Sequence, residues 1–183
     1  MRLLPNNPAV SGPLPISTGQ QAAAWYVART RSRHEKLVAG QWRQAGLDFW
    51  LPQLRLRKRW SDRYVSIDEP LFAGYLFLHG DAKACDLAVR ARGVVQFVGF
   101  GRGPVPVPDQ EIMGIRRALE SGLRCDPCPY LKVGQEVEVT RGPLRGHRGI
   151  LQRKQGGHRL VLSVHLIGRS MAIEVALADV RAY

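Results

Sequence analysis

Cysteine is scarce in this chain of 183 residues. Its three cysteines, Cys85, Cys125 and Cys128, are too few and too unevenly spaced for the disulfide framework of a small secreted protein. Long apolar runs are missing as well, since none approaches the roughly 20 residues that a membrane-spanning helix needs. The first residues also lack the continuous apolar core of a signal peptide. These absences predict a soluble cytoplasmic protein that does not enter a membrane.

Motifs for catalysis and for cofactor binding are absent or incomplete. The chain contains no HExxH, GxSxG or P-loop pattern. Cys125 and Cys128 form a single CxxC, whereas a structural zinc site needs four ligands. Gly99, Gly101 and Gly103 imitate a nucleotide-binding loop, but prolines follow them where such a loop requires the start of a helix. We therefore expect no enzyme activity, no cofactor and no metal ion.

Positive charge is abundant. Lysine and arginine total 27 against 15 acidic residues, a net charge of +12, and only five of the cations are lysine. Residues 1–130 carry 18 basic and 11 acidic side chains, and residues 131–183 carry 9 and 4, so both parts of the chain share the excess. Arginine suits forked contacts with phosphate, which makes nucleic acid a candidate partner. The alternative is a charged surface that only keeps the protein soluble.

The composition divides the chain into an extension and two folded parts. Residues 1–21 hold four prolines and a single charge, so we expect a disordered extension there. A first domain is predicted over residues 22–121, a linker over 122–129, and a second domain over 130–183. The second part contains five short β runs separated by glycine-containing turns, a pattern typical of a small barrel.

Within the first part, strands and helices alternate. Strands are predicted near residues 25–30, 49–57, 71–78 and 94–98. Helices are predicted over 33–45 and 82–91, and a third is expected to begin at a capping Asp109. The first helix should bury a stripe that comprises His34, Leu37, Val38, Trp42 and Ala45. In the second helix, Ala84, Leu87, Ala88 and Ala91 should face inward.

Two strings and two basic clusters stand out as candidates for function. The strings are PLFAGYLFL at residues 70–78 and RGPLRGHRG at residues 141–149. Period-two geometry puts Tyr75 and Phe77 on one side of a strand, where they are either core residues or an exposed apolar patch for a partner. One basic cluster includes Arg29 and follows the first strand; the other comprises Arg55, Arg57, Lys58, Arg59, Trp60 and Arg63. Each cluster is either a nucleic-acid surface or a solvated face.

The two strings resemble the signatures of the NusG family, in the order and at the domain-sized separation that the family shows. The first is similar to the family's PLFPGYxFV string, with Ala73 in place of the usual proline, and the second is similar to the KOW motif. The resemblance implies an α+β chain. Its first part would be an NGN domain, an α/β sandwich in which helices flank an antiparallel sheet. Its second part would be a five-stranded, SH3-like KOW barrel.

The resemblance also implies a set of partner sites. In NusG-like proteins the first domain docks on the clamp helices of the largest RNA polymerase subunit, and the matching positions here are Phe72, Tyr75, Phe77 and Phe97. Specialised paralogues touch non-template DNA at the end of the first strand. By position, that nucleic-acid surface corresponds to Arg31, Arg33, His34 and, before Gly93, Arg92; nascent RNA is a further candidate ligand.

The KOW domain of the family recruits Rho or a small-subunit ribosomal protein that acts as NusE. By position, the contact surface for either partner corresponds to Leu144, His147, Leu166, Ile167 and Arg169. The segments PYLKVGQ and RSMAIEV are similar to UpxY-type paralogues, which govern polysaccharide gene clusters. The resemblance therefore implies a monomeric elongation or antitermination factor for a polysaccharide operon. The alternative is a KOW-type RNA-binding or ribosome-associated protein, which leaves the first domain without a purpose.

Overall fold

The protein is described by a computed structural model over residues 23–60, 62–101, 103–128, 130, 134–154 and 157–183. The predicted disordered extension at residues 1–21 lies outside the described residues. In chain order, the first part contains β1 Ala24–Thr30, α1 Glu35–Gln44, β2 Asp48–Trp50, β3 Gln53–Trp60, β4 Arg63–Pro70, β5 Tyr75–Gly80, α2 Ala82–Ala88, β6 Val94–Phe97 and α3 Asp109–Glu120. The second contains β7 Cys125–Cys128, β8 Gln135–Val139, β9 Arg148–Lys154, β10 Gly157–Val164, β11 Arg169–Val175 and β12 Val180–Ala182.

The N-terminal sheet has four antiparallel strands in the order β2-β5-β1-β6. Its central strand β5 alternates as period-two geometry requires. Leu76 and Leu78 pack on one face with residues of α1 and α2, while Tyr75 and Phe77 belong to the other face, which α3 covers. The sheet is therefore the middle layer between helices, which gives a mixed α/β fold.

Helix α1 packs on this sheet with a different stripe from the predicted one. Its buried residues are Glu35, Val38, Ala39 and Trp42, whereas Leu37 is half exposed and Ala45 lies outside the helix. The buried set follows helical spacing, but it begins with a carboxylate that a search for apolar residues does not register. Helix α2 likewise buries Cys85 and Ala88 and leaves Leu87 exposed, so the predicted inward position of Leu87 is wrong.

Helix α3 begins one residue earlier than predicted, because Asp109 was expected to cap the helix from outside. Asp109 is its first residue, and Pro108 occupies the N-cap position without a side-chain hydrogen bond. Ile112 and Ile115 are fully buried as expected. A proline at the cap still suits a helix start, because its missing N–H would have no partner inside the helix.

The C-terminal sheet is antiparallel and contains six strands in the order β12-β8-β9-β10-β11-β7. Five of these strands match the predicted β runs. The sixth, β7, lies inside the predicted linker and pairs with β11 at the edge of the sheet. Its Pro127 is compatible with that place because an edge strand tolerates a missing N–H donor. The predicted five-stranded count is therefore wrong by this one edge strand.

The two sheets share one continuous apolar core. Helix α3 contacts β1 on one side and β10 on the other, so Ile112 and Ile115 lie in the same cluster as Val27 and Leu162. A polar contact joins α3 to the turn that follows β10, since the Glu111 carboxylate lies 2.8 Å from His165 Nδ1 and accepts the His165 backbone N–H at 3.1 Å. No helix among the described residues is long and apolar enough to span a bilayer.

Candidate functional site

Three loops meet at the end of the N-terminal sheet where β1 finishes and where β5 and β6 begin. Backbone hydrogen bonds join them. Thr30 donates its N–H to the carbonyl of Gly74 at 2.8 Å, and Arg31 donates to the carbonyl of Gly93 at 2.8 Å. The predicted polymerase string and the predicted nucleic-acid residues therefore lie beside one another at this end of the sheet.

The turn that contains Gly74 is fixed by a buried carboxylate. Glu35, which is 6% exposed, accepts the N–H of Gly74 at 2.6 Å through Oε1. Gly74 has φ of +83°, a conformation that glycine adopts without the steric cost that a Cβ brings. Tyr75 also donates its N–H to the carbonyl of Phe72 at 3.1 Å, so the turn is tight. The first turn of α1 thus holds the string PLFAGY in place.

The predicted nucleic-acid residues come together on adjoining loops. Arg31, Arg33 and Arg92 are exposed, and His34 is partly exposed. Gln41 holds the Arg92 backbone at both ends, because it accepts the Arg92 N–H at 2.9 Å and donates to the Arg92 carbonyl at 3.0 Å. Three exposed arginines therefore lie on two loops that the Arg31–Gly93 backbone hydrogen bond joins, an arrangement that favours an anion with several negative charges.

One residue of this basic surface is conformationally strained. Arg33 has φ of +60°, the one positive value that a non-glycine residue adopts in the described part of the chain. Such a conformation costs about 1–3 kcal/mol and persists where the surrounding structure enforces it. Here the His34 N–H bonds to the Arg31 carbonyl at 3.1 Å, while His34 Nδ1 lies 2.9 Å from the Ser32 carbonyl. Strain of this kind is common at ligand-binding loops.

A surface that we call the open strip, formed by Arg29, Tyr75 and Gln96, adjoins the basic loops, which are the loops that carry Arg31, Arg33, His34 and Arg92. The register aligns Arg29 of β1 with Tyr75 of β5 on one side and with Gln96 of β6 on the other. Arg29 and Gln96 are exposed, and Tyr75 is partly exposed. Gln96 was not among the predicted site residues; the alternation of β6 relative to Phe97 could have placed it on this face.

The other three predicted polymerase-binding residues lie elsewhere. Phe72 is 2% exposed and Phe77 is fully buried, with their rings 6.2 Å apart inside the shared core. Phe97 lies on the opposite face of the sheet, where it stacks on Trp42 at 6.3 Å. The structure therefore leaves Tyr75 on the open strip, places Phe72 and Phe77 beneath it, and directs Phe97 to the other layer.

The residues predicted to bind a C-terminal partner are also divided. Leu144 is 2% exposed because the turn folds back, with the Gly146 N–H donating to the Val139 carbonyl at 2.8 Å. His147 points at α3, since a Cβ at Gly114 would lie 2.9 Å from His147 Cδ2. Leu166 and Ile167 are partly buried, and Arg169 is exposed. Leu166 and Ile167 lie in the turn between β10 and β11, and Arg169 begins β11. These three residues form the accessible part of the set.

The cysteines provide no reactive or metal-binding centre in the described structure. Burial raises the pKa of the Cys85 and Cys125 thiols to about 11, and it also raises the pKa of Cys128. These thiols are therefore protonated at neutral pH, and a protonated thiol is a poor nucleophile. Among the described residues, no group of three or more histidine, cysteine or acidic side chains is arranged to hold a metal ion.

A cavity of about 640 Å³ lies between α3 and the C-terminal sheet, away from the open strip. Its lining mixes both signs of charge, since it includes Arg117, Arg145 and Arg148 as well as Asp109, Glu111 and Glu136. Opposite charges in one cleft do not select a ligand of either sign. The cleft follows from the packing of the two sheets around α3.

Comparisons with known proteins give the same family as the sequence motifs. The NusG family model, described as transcription termination factor nusG, matches residues 23–116, which is just over half of the chain. A transcription termination/antitermination protein NusG from Borreliella burgdorferi is 23% identical over 178 residues, covering 83% of this chain and 94% of that protein. The protein of the same name from Helicobacter pylori is 24% identical over 117 residues, covering 62% of this chain and 66% of that protein.

Among solved structures, one that describes domain interaction in Thermotoga maritima NusG is similar to this chain, with 22% sequence identity and a TM-score of 0.49. The similarity covers 87% of this chain and 97% of that one. The matched family segment begins just before β1 and ends within α3, so it contains the N-terminal sheet, the basic loops and the open strip. On this family match, the chain belongs to the NusG family.

Proposed function

We propose that the chain is a transcription elongation and antitermination regulator that binds RNA polymerase through the open strip formed by Arg29, Tyr75 and Gln96. The observation that carries the proposal is the position of Tyr75. It is the ring of the family string that reaches the surface, and it lies beside the strained basic loops. Aromatic residues at partly exposed positions are frequent anchors of protein interfaces.

The names of the relatives support this direction. Two NusG relatives carry the name transcription termination/antitermination protein, and the matched segment contains the proposed polymerase surface. On this proposal, the clamp helices of the largest polymerase subunit lie against Tyr75. Phe72 and Phe77 support that ring from inside the core. A factor that binds the closed, active polymerase more tightly than the paused one shifts the population toward elongation.

The basic loops would face nucleic acid beside the polymerase. Arg31, Arg33, His34 and Arg92 are the proposed contacts, with non-template DNA or nascent RNA as the ligand. Their shared position with the open strip supports the proposal, because one end of the sheet would then meet both polymerase and nucleic acid. Phosphate contacts of this kind would make binding depend steeply on salt.

The C-terminal part would serve a second partner. We propose residues 22–121 as the polymerase-binding domain, 122–129 as the connection and 130–183 as the recruiting domain. Leu166, Ile167 and Arg169 would form the contact with a small-subunit ribosomal protein or Rho. The similarity of the segments PYLKVGQ and RSMAIEV to UpxY-type paralogues supports a role at a polysaccharide operon. An RNA-binding protein of the ribosome is the weaker candidate, because the family match covers the N-terminal part that it leaves unused.

The test measures the affinity of the purified full chain for bacterial RNA polymerase core enzyme. Tyr75→Ala should weaken binding about thirtyfold, the loss expected of an aromatic anchor. Tyr75→Phe should retain most of the affinity, because the ring provides the contact area. Tyr183→Ala is the matched control, since Tyr183 is a 65% exposed ring at the C-terminus.

A second variant guards against loss of folding. Gln96→Trp adds a bulky ring at an exposed position of the strip and leaves the core untouched, so it should weaken polymerase binding while the thermal unfolding curve stays unchanged. If Tyr75→Ala and Gln96→Trp both bind polymerase as the unmodified chain does, the open strip is not the polymerase surface.

A further inference from the structure

The first turn of α1 joins the basic loops to the open strip. On one side, the turn follows Arg33 and His34 directly in the chain. On the other side, its Glu35 carboxylate accepts the N–H of Gly74 at 2.6 Å, and Tyr75 is the next residue after that glycine. Glu35 and Gly74 are 39 residues apart in the chain, so this bond is a tertiary contact. One hydrogen bond therefore connects the strained loop with the segment that presents the ring of Tyr75.

The backbone of Gly74 is held from two directions. Glu35 accepts its N–H, and its carbonyl accepts the N–H of Thr30 at 2.8 Å. Tyr75 follows directly and donates its own N–H back to the Phe72 carbonyl at 3.1 Å. Because these bonds fix the backbone on both sides of Tyr75, they also fix the direction in which its ring leaves the turn. Loss of the Glu35 bond would loosen that turn.

The first turn of α1 has few supports on its solvent side. Its N-cap residue, His34, makes no side-chain capping hydrogen bond. Arg33, which precedes it, has the strained φ of +60°. Beneath the turn, the Thr30 hydroxyl is buried without a hydrogen-bond partner among the described residues, an arrangement that lowers stability. Segments with such features open locally at a lower free energy than the rest of a fold. The turn therefore has an accessible opened state.

Both proposed binding surfaces depend on the formed turn. The His34 N–H reaches the Arg31 carbonyl at 3.1 Å, and Arg31 in turn donates to the Gly93 carbonyl at 2.8 Å. When the turn opens, the first of these bonds breaks, and the cations of Arg31 and Arg33 lose their common position. Opening also releases Glu35 from Gly74. The opened state is therefore a poorer binder of phosphate and of polymerase alike.

We infer that Glu35 is a positioning residue that couples the basic loops to the open strip, so that single-stranded nucleic acid on the loops and polymerase on the strip raise each other's affinity. A ligand that prefers the formed turn shifts the population toward it. The second ligand then meets a larger fraction of binding-competent protein, and the effect is reciprocal. The inference rests on the proposed function for both ligands, but the step from the basic loops to Tyr75 takes place in the chain alone.

The experiment uses the full chain, without polymerase, and carries 3-fluorotyrosine at position 75. A single-stranded DNA of about ten nucleotides is titrated into it. Fluorescence anisotropy measures the affinity for the DNA, and NMR follows the fluorine resonance. We expect the resonance to shift with the same midpoint as binding. A label at position 183, in a separate sample, should not respond, because the Tyr183 ring packs against Arg148 in the C-terminal part.

Two variants separate the reach of Glu35 from its charge. Glu35→Gln keeps the length of the side chain and an acceptor oxygen, so it should retain the shift at position 75 and most of the polymerase affinity. Glu35→Asp keeps the charge but is one methylene group shorter. It should lose the shift at saturating DNA and weaken polymerase binding about fivefold or more. A role of the charge alone would give the opposite order.

Glu111→Asp is the matched control. Glu111 also accepts a backbone N–H from a distant residue, His165, 54 positions away, but it does so at α3 and the C-terminal part. Shortening this carboxylate should leave the shift at position 75 and the polymerase affinity as they are in the unmodified chain. Equal effects of the two aspartate variants would overturn the inference.

Amide hydrogen exchange gives a readout that needs no variant. In the unmodified chain, bound DNA should slow the exchange of the Gly74 N–H about fivefold or more, because it favours the state in which Glu35 holds that group. Unchanged exchange at Gly74 in a chain that binds the DNA would overturn the inference. This result stands even where Glu35→Asp fails to fold.

The remaining outcomes separate this inference from the proposed function. A shift at position 75 that persists in Glu35→Asp would mean that DNA touches the ring directly, which overturns the inference, as does a probe that does not bind the unmodified chain. If Tyr75→Ala lowers polymerase affinity while DNA causes no shift, the inference alone fails. If the shift depends on Glu35 but Tyr75→Ala binds polymerase normally, the proposed polymerase surface fails and the route through Glu35 stands.

Discussion

Residues of a single motif divide between two tasks. In PLFAGYLFL, Phe72 and Phe77 lie inside the shared core, and Tyr75 reaches the open strip. Replacing Phe72 by alanine would remove a buried ring and cost about 3–5 kcal/mol of stability. A loss of function in that variant would then report unfolding. On the proposed function, Tyr75 is the residue of the motif at which polymerase binding can be measured apart from folding, because its ring is not enclosed in the core.

The buried thiol of Cys125 should react slowly with alkylating reagents. Its pKa rises from 9.0 to about 11 because burial disfavours the thiolate. At pH 8, the thiolate fraction of the folded protein should be about 100-fold below that of an ordinary cysteine, and alkylation should slow by about tenfold, because a thiolate of higher pKa is the stronger nucleophile. Mass spectrometry of iodoacetamide-treated protein measures this rate at Cys125, with the protein in guanidinium as the control.

The sign of the pH effect follows from the same shift. Because the folded pKa lies above the unfolded value, the contribution of Cys125 to stability is complete below about pH 9 and is lost as the pH rises toward about 11. Equal alkylation rates in the folded and the unfolded chain at pH 8 would contradict this picture of a buried, protonated thiol.

At the scale of elements, the basic loops depend on a close approach of backbone. Gly93 has φ of +107°, and a Cβ there would lie 3.0 Å from the His34 side chain and 3.2 Å from that of Val38. Gly93→Ala should therefore lower the free energy of unfolding by about 1–3 kcal/mol and shift the Arg31–His34 loop. Urea unfolding measures the first effect, and the affinity for a single-stranded DNA probe measures the second.

Gly46→Ala is the matched control for this change. Gly46 also has a positive φ, +70°, but a Cβ there would meet no atom within 4 Å. It should therefore show the backbone strain alone. A loss of stability and DNA affinity in Gly46→Ala equal to that in Gly93→Ala would remove the argument from crowding.

Some of the strands and helices could be predicted from the sequence, and others could not. Period two on β5 and the five C-terminal β runs were predictable, because apolar alternation and glycine turns mark half-buried strands. Strand β7 was not, since CDPC contains a proline and charged neighbours and gains its place only by pairing with β11. The face of α1 was missed for a related reason. Glu35 is buried through a hydrogen bond to Gly74, a partner 39 residues away that no local pattern contains.

The candidate site also contains residues whose positions could be predicted and residues whose burial could not. The four basic residues at 31, 33, 34 and 92 meet because β1 and β6 are neighbours, and the family resemblance had already selected them. The burial of Phe72 and Leu144 could not be predicted from the sequence, because an apolar residue in either family motif is equally compatible with the core and with a contact surface. The core that encloses these two side chains includes residues from both sheets.

At the scale of the whole molecule, the packing of α3 against the C-terminal sheet joins the two parts of the chain. Gly114 lies at this contact, and a Cβ there would come within 2.9 Å of His147 and 3.6 Å of Leu162. Gly114→Leu should force α3 and the sheet apart, which should raise the radius of gyration in small-angle scattering and speed proteolysis between residues 120 and 134.

Gly40→Leu serves as the control, because Gly40 is also helical but a Cβ there would meet nothing within 4 Å. It should leave the radius of gyration unchanged. If Gly114→Leu is as compact and as resistant to protease as Gly40→Leu, the two parts are not held together through this face of α3.

Polymerase binding through the open strip is tested by a photo-crosslinking amino acid at position 75 of the full chain bound to bacterial RNA polymerase, with a second one at position 183 in a separate sample. Position 75 should crosslink to the largest polymerase subunit, and position 183 should not. Irradiation that yields no polymerase crosslink from position 75, in a complex whose assembly is verified, would contradict binding through the open strip.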